Sequence, residues 1–305
     1  MVMRLAVLGT SEGNGHPYSF SAIINGYDTE RMRAAGWPGI ADYLDERDPV
    51  DLGFRGVQVT HAWCPDPAET RRLCAATGIP QPVAAPEDLI SEVDGVVIAR
   101  DDWRTHGELA APFLAAGVPV FVDKPLTLDR AVLEAFRPHL EAGGLMSCSG
   151  FRFAPELDEP LTRRAAGERA LVSQAVGPKD WDRYAVHLVE PLLRLHRAPP
   201  TAITWIPASH DVAVIEFADG STAAIHCLGE RPTGFRLDVT TSERAVSLQL
   251  RDRFTAFRRL LAHFIEMVDS GRPPFDPAET VSVMHLLAAG VAAGSQHQRV
   301  PIAPI

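Results

Sequence analysis

Lysine is nearly absent from this sequence of 305 residues. The chain has 29 basic residues, yet only Lys124 and Lys179 are lysines, and arginine fills every other basic position. Arginine keeps its proton at working pH, whereas a lysine near a ligand can be tuned into an acid or a base. Retaining Lys124 after an apolar run therefore indicates a need for a transferable proton there. The alternative is an ordinary strand-end lysine that pairs with Asp123.

Cysteine is sparse too. Four cysteines show no paired short spacing: Cys64, Cys74, Cys148 and Cys227. This pattern argues against a zinc site and a disulfide framework, and it fits a reducing compartment. We therefore predict a cytoplasmic protein that binds no metal.

Excess positive charge and long apolar runs are also missing. The formal net charge of -10 argues against nucleic acid and against an anionic membrane surface as partners, because both attract basic faces. No stretch approaches the roughly 18 consecutive apolar residues of a membrane span, and the N-terminal apolar run is too short for a signal peptide. Hydrophobic residues make up 46% of the chain, which is ample for the cores of two domains.

The most informative stretch surrounds Lys124. An apolar run over 118–122 predicts a buried strand, and Asp123, Lys124 and Pro125 follow it directly. A helix is predicted next, over 128–142. Open α/β sheets bind their ligands at the carboxyl ends of their strands, so this stretch is a candidate site.

A glycine-rich turn follows the first predicted strand, 4–8, and precedes a helix predicted from Ser19. Such a turn lets a backbone approach a pyrophosphate, and the helix N-terminus attracts its charge. The spacing is G-x-x-x-G-x-G, so a plain glycine turn is the alternative, and His16 either reaches the active cleft or stabilises the turn. The predicted cofactor-binding residues here are Gly9, Thr10, Gly13, Asn14, Gly15 and His16.

The second predicted strand, 56–63, bears on the choice between NAD and NADP. An NAD-binding chain usually ends this strand with an acidic residue for the ribose hydroxyls. Cys64 occupies that position and Asp66 follows two residues later. Arg71 and Arg72 either meet a 2′-phosphate or are solvated helix residues, so the choice stays open.

The order of elements predicts an α/β chain with two domains. Strands and helices alternate up to residue 125, which indicates a doubly wound parallel sheet with linked elements up to about 150. From 151 to 305, five strand-like runs follow a helix predicted over 181–196, which indicates an α+β domain with an open, mainly antiparallel sheet. The last helices are expected to pack back on the first domain.

Four stretches resemble one known family. Asp123-Lys124-Pro125 is similar to a Glu-Lys-Pro signature, and residues 97–110 to a third nucleotide-contacting strand with its helix. Gly150-Phe151-Arg152-Phe153-Ala154-Pro155 resembles a domain crossover, and Gly271-Arg272-Pro273-Pro274 precedes a terminal helix. Over essentially its whole length the chain resembles the Gfo/Idh/MocA oxidoreductases, which pair a Rossmann domain with an open-sheet domain.

The resemblance implies roles for particular residues. In the family, the signature lysine and a histidine of the second domain flank the nicotinamide and the substrate, which assigns Lys124 and His187. The usual aspartate four residues before the histidine is Arg183 here, and Ala185 replaces the usual glycine. The nearest acid, Asp182, is one residue out of register, while Tyr184 shares the face of His187. Asp182 and Tyr184 complete the predicted catalytic set, and Glu190 fits the acidic residue that follows the histidine.

The same resemblance extends the predicted cofactor site beyond the glycine turn and Cys64, to Arg100, Asp101, Trp103, His106, Asp123, Lys124 and Pro125. Outside these sets, Trp181 and Trp205 either floor a sugar site or pack in the core. Lys179 either meets the substrate or is a solvated loop lysine.

The predicted function is an NAD- or NADP-dependent oxidoreductase. It would transfer a hydride between the nicotinamide and a hydroxyl or keto carbon of a sugar, aminosugar or cyclitol. One alternative is a family member with non-redox or transient-redox chemistry, of the lyase or glycoside hydrolase type. Another is a nucleotide-binding protein that has lost catalysis. The family also implies a homodimer or homotetramer.

Overall fold

The structure is a computed structural model that describes residues 2–302. The chain divides into two compact units. The first holds the residues up to Thr127 together with Glu134–Ser147 and Phe257–Pro277. The second holds Leu128–Leu133, Cys148–Ala256 and the residues from Ala278 onward.

The first unit is built on a six-stranded parallel sheet. Its strands are β1 (Met3–Leu8), β2 (Val57–Trp63), β3 (Gln81–Pro82), β4 (Gly95–Ile98), β5 (Val120–Val122) and β6 (Leu145–Met146). They lie in the order β3-β2-β1-β4-β5-β6, which is the doubly wound arrangement of a Rossmann domain. Such a sheet needs buried, continuously apolar strands, and β4 and β5 are buried throughout.

Five helices lie between β1 and β5 in the chain: α1 (His16–Asn25), α2 (Thr29–Ala34), α3 (Pro38–Asp45), α4 (Pro67–Thr77) and α5 (His106–Ala115). Helix α1 begins three residues earlier than predicted, because Pro17 at its start fits the first helical turn. Gly78 ends α4 with φ of 66°, the left-handed C-cap that the sequence predicts. Helices α2 and α3 lie in the long connection between α1 and β2.

Three longer helices occur later in the chain: α6 (Arg130–Glu141), α10 (Arg253–Ser270) and α11 (Pro277–Gln296). Between α6 and α10 lie α7 (Asp158–Ala165), α8 (Trp181–Tyr184) and α9 (Val186–Leu195). The predicted single helix over 181–196 is therefore two helices that meet at Ala185. None of the helices in the described range 2–302 is long and apolar enough to cross a membrane.

The second unit contains a seven-stranded sheet. Its strands are β7 (Ala170–Gly177), β8 (Pro200–Trp205), β9 (Asp211–Phe217), β10 (Thr222–Cys227), β11 (Phe235–Thr241), β12 (Ala245–Leu250) and β13 (Arg299–Pro301). The order is β12-β11-β7-β10-β9-β8-β13, and β7 pairs with β10 in parallel while the other pairs are antiparallel. The predicted fold class, a parallel sheet plus a mainly antiparallel open sheet, is confirmed.

Aromatic side chains fill the core of the first unit. Phe121 of β5 packs between Phe20 of α1 and Phe264 of α10, with both ring centroids 6.0 Å away. An added Cβ on Gly95 would lie 2.9 Å from Val268, so β4 and α10 approach closely there. This packing fixes β4 and β5, whose carboxyl ends carry the candidate site residues.

Candidate active site

The three glycines of the turn after β1 serve different purposes. A Cβ on Gly9 would lie 2.4 Å from Pro17, and a Cβ on Gly15 would lie 2.5 Å from Ile40 of α3. Gly13 has φ of 73° and faces open space. Gly9 and Gly15 thus permit close packing, while Gly13 supplies the left-handed turn conformation that other residues avoid.

The backbone N–H groups in the first turn of α1 are already hydrogen-bonded and do not offer a donor to a ligand. The N–H of His16 donates to Oδ1 of Asn14 at 2.9 Å, and Pro17 has none. The N–H groups of Tyr18 and Ser19 both donate to the Gly15 carbonyl. Within the described chain, the N–H groups of Gly13 and Gly15 make no hydrogen bond. The turn amides, rather than the helix amides, are therefore available to an anionic group.

Buried Asp123 at the end of β5 pairs with the partly buried His16. Nδ1 of His16 lies 2.6 Å from Oδ2 of Asp123, which also accepts from Nδ2 of Asn14 at 3.2 Å. Burial opposes ionisation of Asp123, but the charges of His16 and Lys124 outweigh it and lower the pKa of this carboxyl. The pair ties the glycine turn to β5.

Lys124 faces a different acid. Its Nζ lies 3.5 Å from Oδ2 of Asp101, and both side chains are buried. Asp101 also accepts from the Ser11 hydroxyl at 2.6 Å. The ends of β1, β4 and β5 thus meet around one buried lysine–carboxylate pair. The sequence-based alternative names Asp123 as the partner, and the charge of Lys124 also acts on Asp123, but the ion pair runs to Asp101.

Two further predicted residues, Arg100 and His106, support the backbone around this pair. Arg100 donates to the Thr10 carbonyl at 2.6 Å. Both ring nitrogens of fully buried His106 contact backbone carbonyls, those of Leu126 at 2.9 Å and Arg100 at 3.0 Å. Burial lowers the pKa of His106. Its ring therefore connects the end of β4 to the segment after Lys124.

Trp103 has a buried indole nitrogen without a hydrogen-bond partner in the described chain. The guanidinium of Arg104 lies 4.2 Å from its ring centroid. A buried donor without a partner needs an explanation, and an acceptor atom of a bound ligand would satisfy the Trp103 nitrogen.

The end of β2 carries no acidic side chain at the predicted ribose position. Cys64 is buried, and burial raises the pKa of its thiol to about 12. Asp66 caps α4 by accepting from the Ala68 N–H at 2.8 Å. Arg72 pairs with Glu69 at 2.5 Å, so its charge is already neutralised at this edge.

In the second unit, His187 sits on α9 inside an aromatic box. The ring centroids of Phe151, Tyr184 and Phe235 lie 5.6, 5.5 and 5.2 Å from that of His187, all at steep interplanar angles. Its Nδ1 lies 2.7 Å from the Ser149 hydroxyl. The predicted proximity of Tyr184 and His187 is therefore observed.

A chain of charged side chains, buried at Glu190 and Arg152 and exposed at Glu279, contacts the segment that holds this histidine. Glu190 accepts from the Ser149 N–H at 2.6 Å and from Arg152 at 3.2 Å, and Arg152 also donates to Glu279 at 2.6 Å. Burial opposes ionisation of Arg152, but the carboxylates of Glu190 and Glu279 raise its pKa. Glu190 thus holds the backbone at Ser149 in place through its hydrogen bond with the Ser149 N–H.

The altered positions before His187 have a local explanation. Asp180 caps α8 by accepting from the Arg183 N–H at 3.0 Å, which leaves Asp182 exposed in the first turn. Ala185 has φ of -59°, so the junction of α8 and α9 does not require the glycine that the family resemblance leads one to expect. Trp181 is 2% exposed and packs in the core.

Sequence reasoning missed Ser149 and the partnership of Ser11 with Asp101. Ser149 follows the short strand β6, which ends at Met146. A small polar residue just after a buried strand is the same signal that singles out Lys124, and it would have identified Ser149. The two units separate the predicted catalytic residues: Lys124 lies in the first, and His187, Tyr184 and Asp182 lie in the second.

The first unit fits a dinucleotide. It offers free turn amides at Gly13 and Gly15, an open face at Gly13, and the unsatisfied indole of Trp103, all near the carboxyl edge of a parallel sheet. What it lacks is the acidic residue for the adenosine ribose.

Comparisons with known proteins agree with this fit. Residues 40–142 match the family model described as "Oxidoreductase family, NAD-binding Rossmann fold". A protein of Amycolatopsis mediterranei, assigned as a UDP-kanosamine synthase oxidoreductase subunit, is 32% identical over 111 residues, 36% of this chain and 30% of that protein. A myo-inositol dehydrogenase of Streptomyces leeuwenhoekii is 29% identical over 178 residues, 55% of this chain and 53% of that protein. The alignments thus span from about a third to about half of these curated relatives.

Solved structures share the fold over nearly the full length. The scyllo-inositol dehydrogenase of Lactobacillus casei with bound NAD(H) and scyllo-inositol gives a TM-score of 0.77 at 12% identity, covering 100% of both chains. The myo-inositol dehydrogenase of the same organism with NAD(H) and myo-inositol gives 0.77 at 13%, covering 100% of this chain and 98% of that one. The family match thus covers residues 40–142, within which the signature around Lys124 lies, and the solved structures show that the chain shares their fold.

Proposed function

We propose that the protein is an NAD-dependent oxidoreductase acting on a hydroxyl or keto carbon of a cyclitol, sugar or aminosugar. The observation that carries this proposal is the buried pair of Lys124 and Asp101 at the carboxyl edge of the parallel sheet. One of only two lysines in the chain is held there by the ends of three strands. Such a lysine is suited to exchange a proton with a substrate hydroxyl.

The cofactor proposal rests on the first unit. The turn amides of Gly13 and Gly15 would receive the dinucleotide phosphates, with Thr10, Asn14 and His16 in the same turn. Arg100, Asp101, Trp103 and Pro125 would line the remaining edge, whereas Cys64 and His106 would support it from the interior. When bound, the nicotinamide ring accepts or gives up a hydride.

NAD is proposed over NADP for two reasons. Arg72, which follows the end of β2, already forms ion pairs with Glu69 and Asp66. A 2′-phosphate would have to compete with both carboxylates for it. The fold-sharing structures from Lactobacillus casei, moreover, hold NAD(H).

The substrate class comes from the relatives. One is a myo-inositol dehydrogenase, and another belongs to a synthase of UDP-kanosamine, an aminosugar nucleotide. Both names point to ring carbons that carry hydroxyl or keto groups. We propose that Lys124 exchanges the hydroxyl proton and that His187, Tyr184 and Asp182 of the second unit contribute to substrate binding.

The test measures reduction of NAD and NADP, and oxidation of their reduced forms, with inositols, free sugars and UDP-sugars. Wild type is expected to turn over NAD with at least one of them. Lys124→Met is expected to lose at least a hundredfold in kcat while it still binds NAD, in line with the 10²–10⁴-fold typical of a general acid–base. The matched control is Lys179→Met, which removes the other, exposed lysine and is expected to keep wild-type activity.

Full turnover by Lys124→Met would contradict the assigned role. Tight NAD binding without net NAD turnover, together with conversion of a sugar, would favour the transient-redox alternative. Absence of any dinucleotide binding would contradict the proposal as a whole.

We also propose a homo-oligomer. Leu171 and Val172 of β7 are 40% and 55% exposed, which is apolar surface of the kind that a partner chain covers. Light scattering coupled to gel filtration measures the mass of the protein in solution. A monomer at micromolar concentration would contradict the proposed homo-oligomer.

A further inference from the structure

We propose that Ser149 fixes His187 in the neutral tautomer that carries its proton on Nε2, so that His187 donates a hydrogen bond to the substrate oxygen and does not accept the proton. Ser149 is a positioning residue in this scheme, because it acts through His187. The role given to the substrate rests on the proposed function, whereas the tautomer itself does not.

The argument begins with the Ser149 hydroxyl. Its residue is fully buried, and Oγ lies 2.7 Å from Nδ1 of His187 and 3.1 Å from the Phe151 nitrogen. The Phe151 N–H is a donor only, so Oγ accepts from it. No other hydrogen-bond partner of this hydroxyl exists within the described chain.

The hydroxyl hydrogen therefore has one acceptor, Nδ1 of His187. A neutral imidazole has one N–H and one bare nitrogen, and the partner of one nitrogen decides which it is. If Nδ1 carried the proton instead, the buried hydroxyl hydrogen would have no acceptor, which costs about 1–3 kcal/mol. The proton of His187 is thus placed on Nε2.

Neither partner is free to rearrange. The Ser149 N–H donates to Glu190 at 2.6 Å, and Glu190 is held by the buried Arg152. His187 and Glu190 lie three residues apart on α9 and so project from the same face. Three aromatic rings enclose the imidazole within 5.6 Å and hold its plane.

This arrangement has a chemical consequence. Taking a proton on Nδ1 would require the Ser149 hydroxyl to turn away and lose its acceptor. His187 is therefore set up to donate through Nε2 to a hydroxyl or keto oxygen, as donors do where negative charge develops on oxygen. It also accounts for Arg183 at the position where the family resemblance leads one to expect an aspartate: Ser149 orients the ring without a carboxylate.

The test reads the tautomer directly. Protein labelled with ¹⁵N-histidine, without cofactor or substrate, is expected to show an unprotonated Nδ1 and a protonated Nε2 for His187 at pH 7.5, assigned by comparison with His187→Gln. Ser149→Ala is expected to shift these two resonances toward a mixture of tautomers and to move the acidic limb of the kcat/KM profile. Ser149→Thr keeps the hydroxyl and is expected to restore both.

Ser173→Ala is the matched control, because Ser173 is another buried serine bonded to a histidine, His196, at 2.9 Å. It should leave the His187 resonances unchanged. A protonated Nδ1 in wild type, or unchanged resonances in Ser149→Ala, would overturn the proposal. A protein with the expected tautomer but without dinucleotide turnover would support this inference and contradict the proposed function.

Discussion

Lys124 Nζ lies 3.5 Å from Oδ2 of Asp101, while Asp123, its neighbour in sequence, holds His16 at 2.6 Å. Two acids and two basic side chains are thus paired across three strand ends. Lys124 is 2% exposed and Asp101 is also 2% exposed, so each charge depends on the other. This mutual dependence leads to the first prediction.

Asp101→Asn is expected to destabilise the protein by about 3 kcal/mol, since breaking a buried ion pair leaves an uncompensated charge. The double variant Asp101→Asn with Lys124→Met is expected to recover part of this loss, and Lys124→Met alone completes the set of variants. Urea unfolding of the single and double variants measures the difference. Purely additive losses would show that the two side chains do not interact energetically.

His16→Gln is expected to weaken NAD binding about tenfold, because the Asp123 carboxylate loses its His16 partner near the turn that would receive the phosphates, and 1.4 kcal/mol corresponds to a factor of ten. Adding Asp123→Asn removes that charge and is expected to restore part of the affinity. Isothermal titration calorimetry gives both values. An unchanged dissociation constant in His16→Gln would remove His16 and Asp123 from the cofactor site.

His196 makes stability depend on pH. It is buried against Phe217, with a ring separation of 4.0 Å, and burial lowers the pKa of its imidazole to about 4. The unfolded chain therefore binds a proton between about pH 6.5 and pH 4 that the folded protein does not bind. Stability is thus present above pH 6.5 and falls as the pH drops, by about 2 kcal/mol at pH 5.

Urea unfolding at pH 7.5 and pH 5 measures this dependence. His196→Gln is expected to reduce the difference in free energy between the two values by about 2 kcal/mol. His297→Gln is the control, because His297 is exposed and its replacement should leave the difference as in wild type. Equal pH dependence in His196→Gln and wild type would contradict the role of His196.

Gly290→Ala is expected to destabilise the second unit by about 2 kcal/mol through overpacking. The new Cβ would lie 2.2 Å from the Trp181 ring, whose indole nitrogen donates to the Leu287 carbonyl at 3.0 Å. Urea unfolding followed by tryptophan fluorescence reports both the loss and the displaced ring. Gly39→Ala adds a methyl with nothing within 4 Å, and we expect stability there to hold or rise by at most about 1 kcal/mol. Equal stability of both variants would contradict the close packing at Gly290.

Local sequence patterns predicted most of the elements. The apolar run before Asp123 and the glycine at 78 identify β5 and the end of α4, because burial and left-handed caps leave marks on adjacent residues. The turn Ala218-Asp219-Gly220 between two apolar runs is likewise a hairpin signal, and β9 and β10 pair antiparallel around it.

Sequence patterns did not predict the elements whose ends or existence depend on a capping side chain or on a strand partner far away in the chain. The apolar spacing over 181–196 continues unbroken, yet Asp180 caps a helix that ends at Tyr184. Strand β13 has three residues including Pro301, too few for a pattern, and exists because it pairs with β8.

The side-chain pairs of the site lay beyond the sequence for the same reason. His16 and Asp123 are 107 residues apart, and Ser149 and His187 are 38 apart. Which acid meets which base depends on the order and register of strands, and a single sequence does not contain that information. Residue type therefore indicated Lys124 and His187 as candidates but did not indicate Asp101 or Ser149 as their partners.

The burial of Lys124 makes the protein a selective target for covalent labelling. An acylating reagent that attacks lysine amines finds Lys179, whose side chain is 40% exposed, but not the amine held by Asp101. The rate at which Lys124 is acylated would then report how often the protein around it opens. In a chain with two lysines, mass spectrometry separates these two events without any engineered probe.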